Sequence, residues 1–252
     1  MRKVRGGFVA VVAATVAVSA VALTGCGSRT AAAKGDTKKD TKAAATYDSL
    51  EELPEKLGND GTTIVVGDQS APVVVHLYED PRCPVCEQFE STGGGLSVQG
   101  TMMQGQTRTE YTFASFLDDR LGGSGSKKAV NALRAALDAG KFAEYHHVLY
   151  ANQPEESVDG FTTARLLELA REVDGLRSPA FDSAVRTMKY RDFVSASEDA
   201  YERAEVPGTP TAEINGVQLG YRMQAALFDP EMFRLLVGEI AADPERWQKQ
   251  PF

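Results

Sequence analysis

Cysteine is scarce in this 252-residue chain: there are three, Cys26, Cys83 and Cys86. So few cannot staple a fold in the manner of small disulfide-rich domains. Stability must come from a hydrophobic core, and a chain this long with 42% hydrophobic residues can build one. Positive charge is also short, with 27 Lys and Arg against 35 Asp and Glu and a formal charge of −8. No arginine-rich patch offsets the balance, which excludes a nucleic-acid surface. Internal repeats are absent, which excludes a stacked-repeat architecture. Long uncharged apolar runs are absent too, save one at the amino end.

That run, Phe8 to Thr24, follows a basic start (Arg2, Lys3, Arg5) and ends in Leu23-Thr24-Gly25-Cys26. The basic, apolar, small-residue order is that of a signal peptide, and the run lies at the short limit for a bilayer span. The ending "LTGC" resembles the lipobox of bacterial lipoproteins. The resemblance implies that residues 1–25 are removed and that Cys26 is acylated. The chain would then sit on the outer face of the cell membrane, held by lipid. Residues 26–46 are small, polar and lysine-rich and read as a flexible tether. Residues 47–252 are left for the folded domain.

Within that domain, "TTIVVG" (Thr62–Gly67) and "APVVVHLY" (Ala71–Tyr78) are β-branched runs split by a turn, the second apolar enough for a central strand. "TRTEYTFASFL" (Thr107–Leu117) reads as a further strand. Apolar residues spaced three and four apart mark a helical block over about 120–205. Asn215-Gly216 predicts a hairpin, and Pro230–Ala242 a closing helix. The fold class is therefore α/β, with a helical insertion between core strands. Gly93 to Gly95 predict a broken helix.

With Cys26 assigned to lipid, Cys83 and Cys86 are the remaining thiols, in a compartment that permits disulfides. A purely structural bridge across Pro84 and Val85 would close too small a loop to stabilise much. Pro84 suits the first position of a helix, which places Cys83 at the helix start. Unpaired N–H groups there favour a thiolate and lower its pKa. Cys86, one turn in, is expected to be more buried. Cys83 is thus predicted to be an exposed nucleophile and Cys86 its resolving partner, joined as a redox-active disulfide.

"DPRCPVCEQFE", "HHVLYANQPEE" and "VPGTPTAEING" together resemble the DsbA-like thiol–disulfide oxidoreductases of the thioredoxin fold, over Thr62 to Ala242. The resemblance implies a thioredoxin-like fold, cysteine-containing exported proteins as substrates, and a membrane redox partner that reoxidises the pair. It also implies that Pro210 is cis and faces the cysteines, leaving the Thr209 backbone free for a substrate peptide. No cofactor is implied. Two departures stand out. Such folds often carry a buried acid six residues before the first cysteine, and here that residue is Leu77, with His76, Glu79 and Asp80 nearby. Glu79 and Asp80 are expected to cap or solvate the loop. Val85 stands where the strongest oxidants of the family have histidine.

Two other readings remain open. The pair could act as a reductase for an exported partner, since compartment and partner set the direction. It could instead bind copper or zinc, as thiolate pairs do. His146 and His147 add little to the metal reading, because adjacent helical residues point about 100° apart. They are predicted to be one packed and one exposed histidine, with no metal site. Valine adds no charge or hydrogen bond to the Cys83 thiolate. A redox titration of the purified protein should therefore give a potential more negative than the roughly −120 mV of the strongest oxidants.

Overall fold

The computed structural model describes residues 45–220 and 223–249. The expected signal peptide, Cys26 and nearly all of the tether lie outside the described residues. The folded part begins with a 3-10 turn at Leu50–Glu52 and strands β1 (Glu55–Leu57) and β2 (Ile64–Val66). Strand β3 (Val73–Glu79) leads into helices α1 (Pro84–Thr92) and α2 (Gly94–Met103), then β4 (Thr107–Phe113). Six helices follow: α3 (Phe116–Leu121), α4 (Gly125–Asp138), α5 (Phe142–Ala151), α6 (Thr163–Leu169), α7 (Pro179–Thr187) and α8 (Arg191–Arg203). The chain ends in β5 (Thr211–Ile214), β6 (Val217–Gln218), α9 (Gln224–Leu227), α10 (Pro230–Ala242) and α11 (Pro244–Lys249).

The six strands form one sheet in the order β1-β2-β4-β3-β5-β6. Only β3 and β4 run parallel, with Val73 opposite Thr107 and Glu79 opposite Phe113. Their connection therefore needs a crossover, which α1 and α2 supply. The β-branched run of β3 buries Val73, Val75 and Leu77 completely but leaves Val74 and His76 half-buried, so the strand expected to be covered on both faces is covered fully on one along most of its length. Helices α2 and α8 pack on β4, and α10 packs on both α2 and β3. The block α3 to α8 is the predicted helical insertion, lying between β4 and β5.

The strand read from Thr107 to Leu117 is shorter than expected. Its last ladder bond runs from the Ala114 N–H to the Glu79 carbonyl. Beyond it, Glu198 accepts from the Ser115 N–H, and the Asp80 carboxylate accepts from the Leu117 N–H at 3.1 Å. Those side chains replace a strand partner and turn the chain into α3. The Tyr47–Leu57 segment resolves into the 3-10 turn and β1, whose Glu55 caps α5 by accepting the N–H groups of Phe142 and Ala143. At the hairpin Asn215 (φ 50°) and Gly216 (φ 76°) adopt the paired positive φ of a type I′ turn. Asn215 also accepts from the Val74 N–H at 2.8 Å, tying the turn to β3. The carboxy-terminal segment, with no role assigned from sequence, packs Trp247 inside α11. Its indole N–H donates to the Ile214 carbonyl at 2.6 Å.

The three glycines do break the helix, and close packing explains them. A Cβ on Gly94 would lie 2.8 Å from the Leu227 carbonyl oxygen, and one on Gly95 2.7 Å from the Glu90 Cα. Gly95 also makes room for the Glu90 carboxyl group, 2.9 Å from that position. Gly100, on the same helix, faces open space. Gly95→Ala should therefore destabilise the protein by about 1–3 kcal/mol in urea unfolding. Gly100→Ala should instead be neutral or stabilising by up to about 1 kcal/mol.

Candidate active site

Cys83 caps α1 with extended geometry (φ −73°, ψ 118°), and Pro84 follows at the first helical position. The Cys83 carbonyl accepts the first helical bond, from the Glu87 N–H. Its thiol donates to the Thr209 carbonyl at 3.3 Å, across 126 residues of sequence. The Thr209–Pro210 bond is cis. Both cysteines are free thiols here. Cys86 is fully buried, and Cys83, expected to be exposed, retains only 7% of its surface. The correction has a plain cause. Cys83 shares a buried cluster with Cys86, Leu117 and Tyr150, Phe116 packs against that cluster, and the Thr209 carbonyl meets the sulfur.

The two sulfurs are unequal acids. Cys83 is lowered to about 6, chiefly by the Cys86 thiol beside it. Burial opposes the shift, while the Thr209 side chain and the N–H groups of Cys86 and Val85 reinforce it. Cys86 is pushed well above its usual value, first by burial and then by Cys83 and Glu79. Val85 stands 43% exposed. It borders a groove of about 440 Å3 lined also by Pro207 to Thr211, Gln218 to Gly220 and Phe228.

The residues before Cys83 anchor this loop to the helical insertion. Asp80 behaves as expected and caps the loop, accepting the Arg82 N–H at 2.9 Å and the Ser126 hydroxyl at 2.6 Å. Burial outweighs those bonds and raises its carboxyl to about 7. Arg82, 2% exposed, pairs with Asp118 at 2.9 Å and donates to the carbonyls of Gly122 and Glu156. Two separate stretches of the insertion, residues 118–122 and the loop at Glu156, thus grip the residue next to Cys83.

Glu79 does not cap or solvate the loop. It is wholly buried, as are Glu90 and His146 to within 2%. Its carboxylate lies 3.0 Å from His146 Nε2, and Glu90 lies 4.0 Å from His146 Nδ1. Burial raises Glu79 and Glu90 to about 8 each, and Glu79 adds to the shift at Glu90. Burial lowers His146. Leu77 simply fills the core. Sequence periodicity does point to this cluster. Glu79 continues the inward series Val73, Val75, Leu77, Glu90 sits one turn beyond Cys86, and His146 lies between Phe142 and Tyr150 on α5. His147 is half-buried rather than exposed, with Nδ1 3.4 Å from the Gln99 amide nitrogen.

Among the described residues, Glu79, Glu90 and His146 are the one group of three potential metal donors close together, within 4.8 Å, and neither cysteine belongs to it. The imidazole sits between the carboxylates with one nitrogen toward each, an arrangement that suits shared protons better than single-nitrogen ligation.

A family model described as Thioredoxin matches residues 59–229. Disulfide bond formation protein D of Bacillus subtilis is 24% identical over 153 residues, 60% of this chain and 67% of that protein. Oxidised DsbA of Mycobacterium tuberculosis is 25% identical with a TM-score of 0.58, over 79% of this chain and 97% of that one. Oxidised BdbD of Bacillus subtilis shares the fold at a TM-score of 0.60 and 19% identity, over 79% and 98%. The chain belongs to the thioredoxin family, as a DsbA-like thiol–disulfide oxidoreductase.

Proposed function

We propose that the Cys83–Cys86 pair, as a disulfide, oxidises thiols of exported proteins from a lipid anchor at Cys26 on the outer face of the cell membrane. The observation that carries this reading is the placement of the Cys83 sulfur, 3.3 Å from the Thr209 carbonyl with Cys86 fully buried beside it. A substrate thiolate attacks Cys83 Sγ, the Cys83–Cys86 bond breaks, a mixed disulfide forms, and Cys86 leaves and takes up a proton. A second substrate thiolate then attacks the substrate sulfur of the mixed disulfide and expels Cys83 as thiolate. Two substrate thiols have become a disulfide and the enzyme holds two electrons, which pass to a membrane redox partner.

The acidity of Cys83 supports the oxidising direction. A thiolate stabilised near pH 6 favours the reduced enzyme, and a pair whose reduced form is favoured is an oxidant. The printed name of the Bacillus relative, a disulfide bond formation protein, points the same way. The groove beside Val85 and Thr209 suits an extended substrate segment, with Thr209 and Pro210 as its contact loop. Among the described residues no helix is long and apolar enough to cross a membrane.

Four measurements check the proposal. Catalytic amounts of the oxidised full chain should restore activity to a reduced, unfolded test enzyme. Activity seen only with a supplied reductant would favour the reductase instead, and stoichiometric copper or zinc in reduced protein would favour metal handling. Cys86→Ala should trap a mixed disulfide with substrate, and Cys83→Ala should trap none. In the reduced protein, alkylation at Cys83 should rise with pH to a plateau with a midpoint near 6, while Cys86 stays unmodified. A midpoint at the ordinary thiol value of about 8.5 would contradict the site's electrostatics.

A further inference from the structure

Arg82 retains only 2% of its surface, although it directly precedes the reactive cysteine. Burying a guanidinium is costly unless its donors are met. Here its terminal nitrogens are met by the insertion: the Asp118 carboxylate and the Gly122 carbonyl, each at 2.9 Å, and the Glu156 carbonyl at 3.0 Å. Asp118 is itself held at the start of α4, where it accepts the N–H groups of Ser126 at 3.0 Å and Lys127 at 2.9 Å. The main chain of the same turn touches both cysteines. The Asp80 carbonyl accepts the Cys83 N–H at 2.9 Å, and the Asp80 N–H donates to the Cys86 sulfur. We propose that Arg82 is a positioning residue: its grip on the insertion fixes the Cys83 sulfur between the Thr209 carbonyl and the first amides of α1, and so sets how strongly the pair oxidises.

The inference rests on the thiol–disulfide reading of the pair and goes beyond it. The groups that favour the Cys83 thiolate are the Cys86 thiol, the Thr209 side chain and the N–H groups of Cys86 and Val85. They belong to α1 and to the Thr209 loop, and none belongs to the insertion. Hydrogen bonds weaken steeply once distance and direction are lost, so their effect depends on where the backbone at residue 83 is held. Arg82 ties that backbone to a third body of structure. Asp118 neutralises the guanidinium at 2.9 Å, so the side chain acts through position rather than through its charge.

Cys83 faces Cys86 on α1, Tyr150 on α5, Phe116 and Leu117 on α3, and the Thr209 loop, while Glu79 at the end of β3 interacts with it through charge. In the reduced protein burial holds Glu79 up at about 8, and Cys86 and Tyr150 well above their usual values. That leaves Cys83 and Asp80 to change charge below neutral pH. Asp80 is raised to about 7, but its donors are the N–H groups of Arg82 and Leu117 and the Ser126 hydroxyl. None of them involves the Arg82 side chain, so the Asp80 contribution cancels between the natural chain and an Arg82 variant.

The full chain and three variants can be compared by Cys83 alkylation and by equilibrium with reduced and oxidised dithiothreitol. Arg82→Met removes the grip. Arg82→Met with Asp118→Asn also avoids stranding a buried carboxylate, and keeps an acceptor at the start of α4. Arg82→Lys, the mildest of the three, keeps the charge but not the fork that reaches two carbonyls together with Asp118. In Arg82→Met the alkylation midpoint should move from about 6 to about 7, and the equilibrium constant for oxidising dithiothreitol should fall about fivefold at pH 7. At about pH 5, where the Cys83 thiol is mostly protonated in both proteins, the two constants should agree. The double variant should match the single one, and Arg82→Lys should shift both readings in the same direction. Trp247→Phe, a packing change in α11, should lower stability and leave both readings unchanged. An unshifted midpoint and equilibrium constant in any folded Arg82 variant would overturn the proposal, as would an equal shift in Trp247→Phe. Both readings use small reagents alone, so failure of the natural chain to exchange disulfides with a peptide would count against the proposed function without altering them.

Discussion

The site depends on one contact between distant segments, the Cys83 thiol against the Thr209 carbonyl. A thiolate at a helix start is favoured by the N–H groups there, yet burial works against any charge. Here the covering groups are themselves polar or polarisable: a neighbouring thiol, the Thr209 loop and the first amides of α1. They stand in for the water they exclude. Cys86, one turn deeper, lies among Leu117, Tyr150, the Cys83 thiol and the buried acid Glu79, and burial pushes it the other way. The difference between the two sulfurs is a difference in what covers them.

Much of this was legible in the amino-acid order because the relevant patterns are local. The existence of strand β3, the proline after Cys83, the Asn-Gly turn and the start of α10 each follow from a few neighbouring residues. Cys83's near-complete burial was not legible, since its cover comes from positions 116–117, 150 and 209. The end of β4 escaped for the same reason. "YTFASFL" is apolar enough to continue as strand, and the groups that stop it are carboxylates far away in sequence, Asp80 and Glu198. Glu79 is a third kind of case. The alternation places it inward, but an acid on a core face contradicts the ordinary cost of burying charge. Only Glu90 and His146, from two other elements, make that placement intelligible.

The helical insertion is more than an ornament on the sheet. Its first helices take Asp80 and Arg82 as their anchors, and α5 brings His146 and Tyr150 beneath the cysteines. Glu55, from the far edge strand, in turn caps α5. Sheet edge, insertion and redox loop are therefore linked through buried carboxyl groups. Burial raises Glu55 and Asp80 to about 7 and Glu79 and Glu90 to about 8. A raised carboxyl binds more protons folded than unfolded, so these four contribute stability that declines as pH climbs from roughly 4.5 toward 8.

The register of β5 on β3 has a mechanical consequence. Thr211, next to Pro210, lies opposite Tyr78, which directly precedes Glu79. The strands that carry the two halves of the reactive centre thus meet at one rung of a hydrogen-bonded ladder. Those strands cannot part there without breaking sheet. On the proposed reading such a centre is a jaw hung from the sheet, and an incoming chain must bend to its spacing.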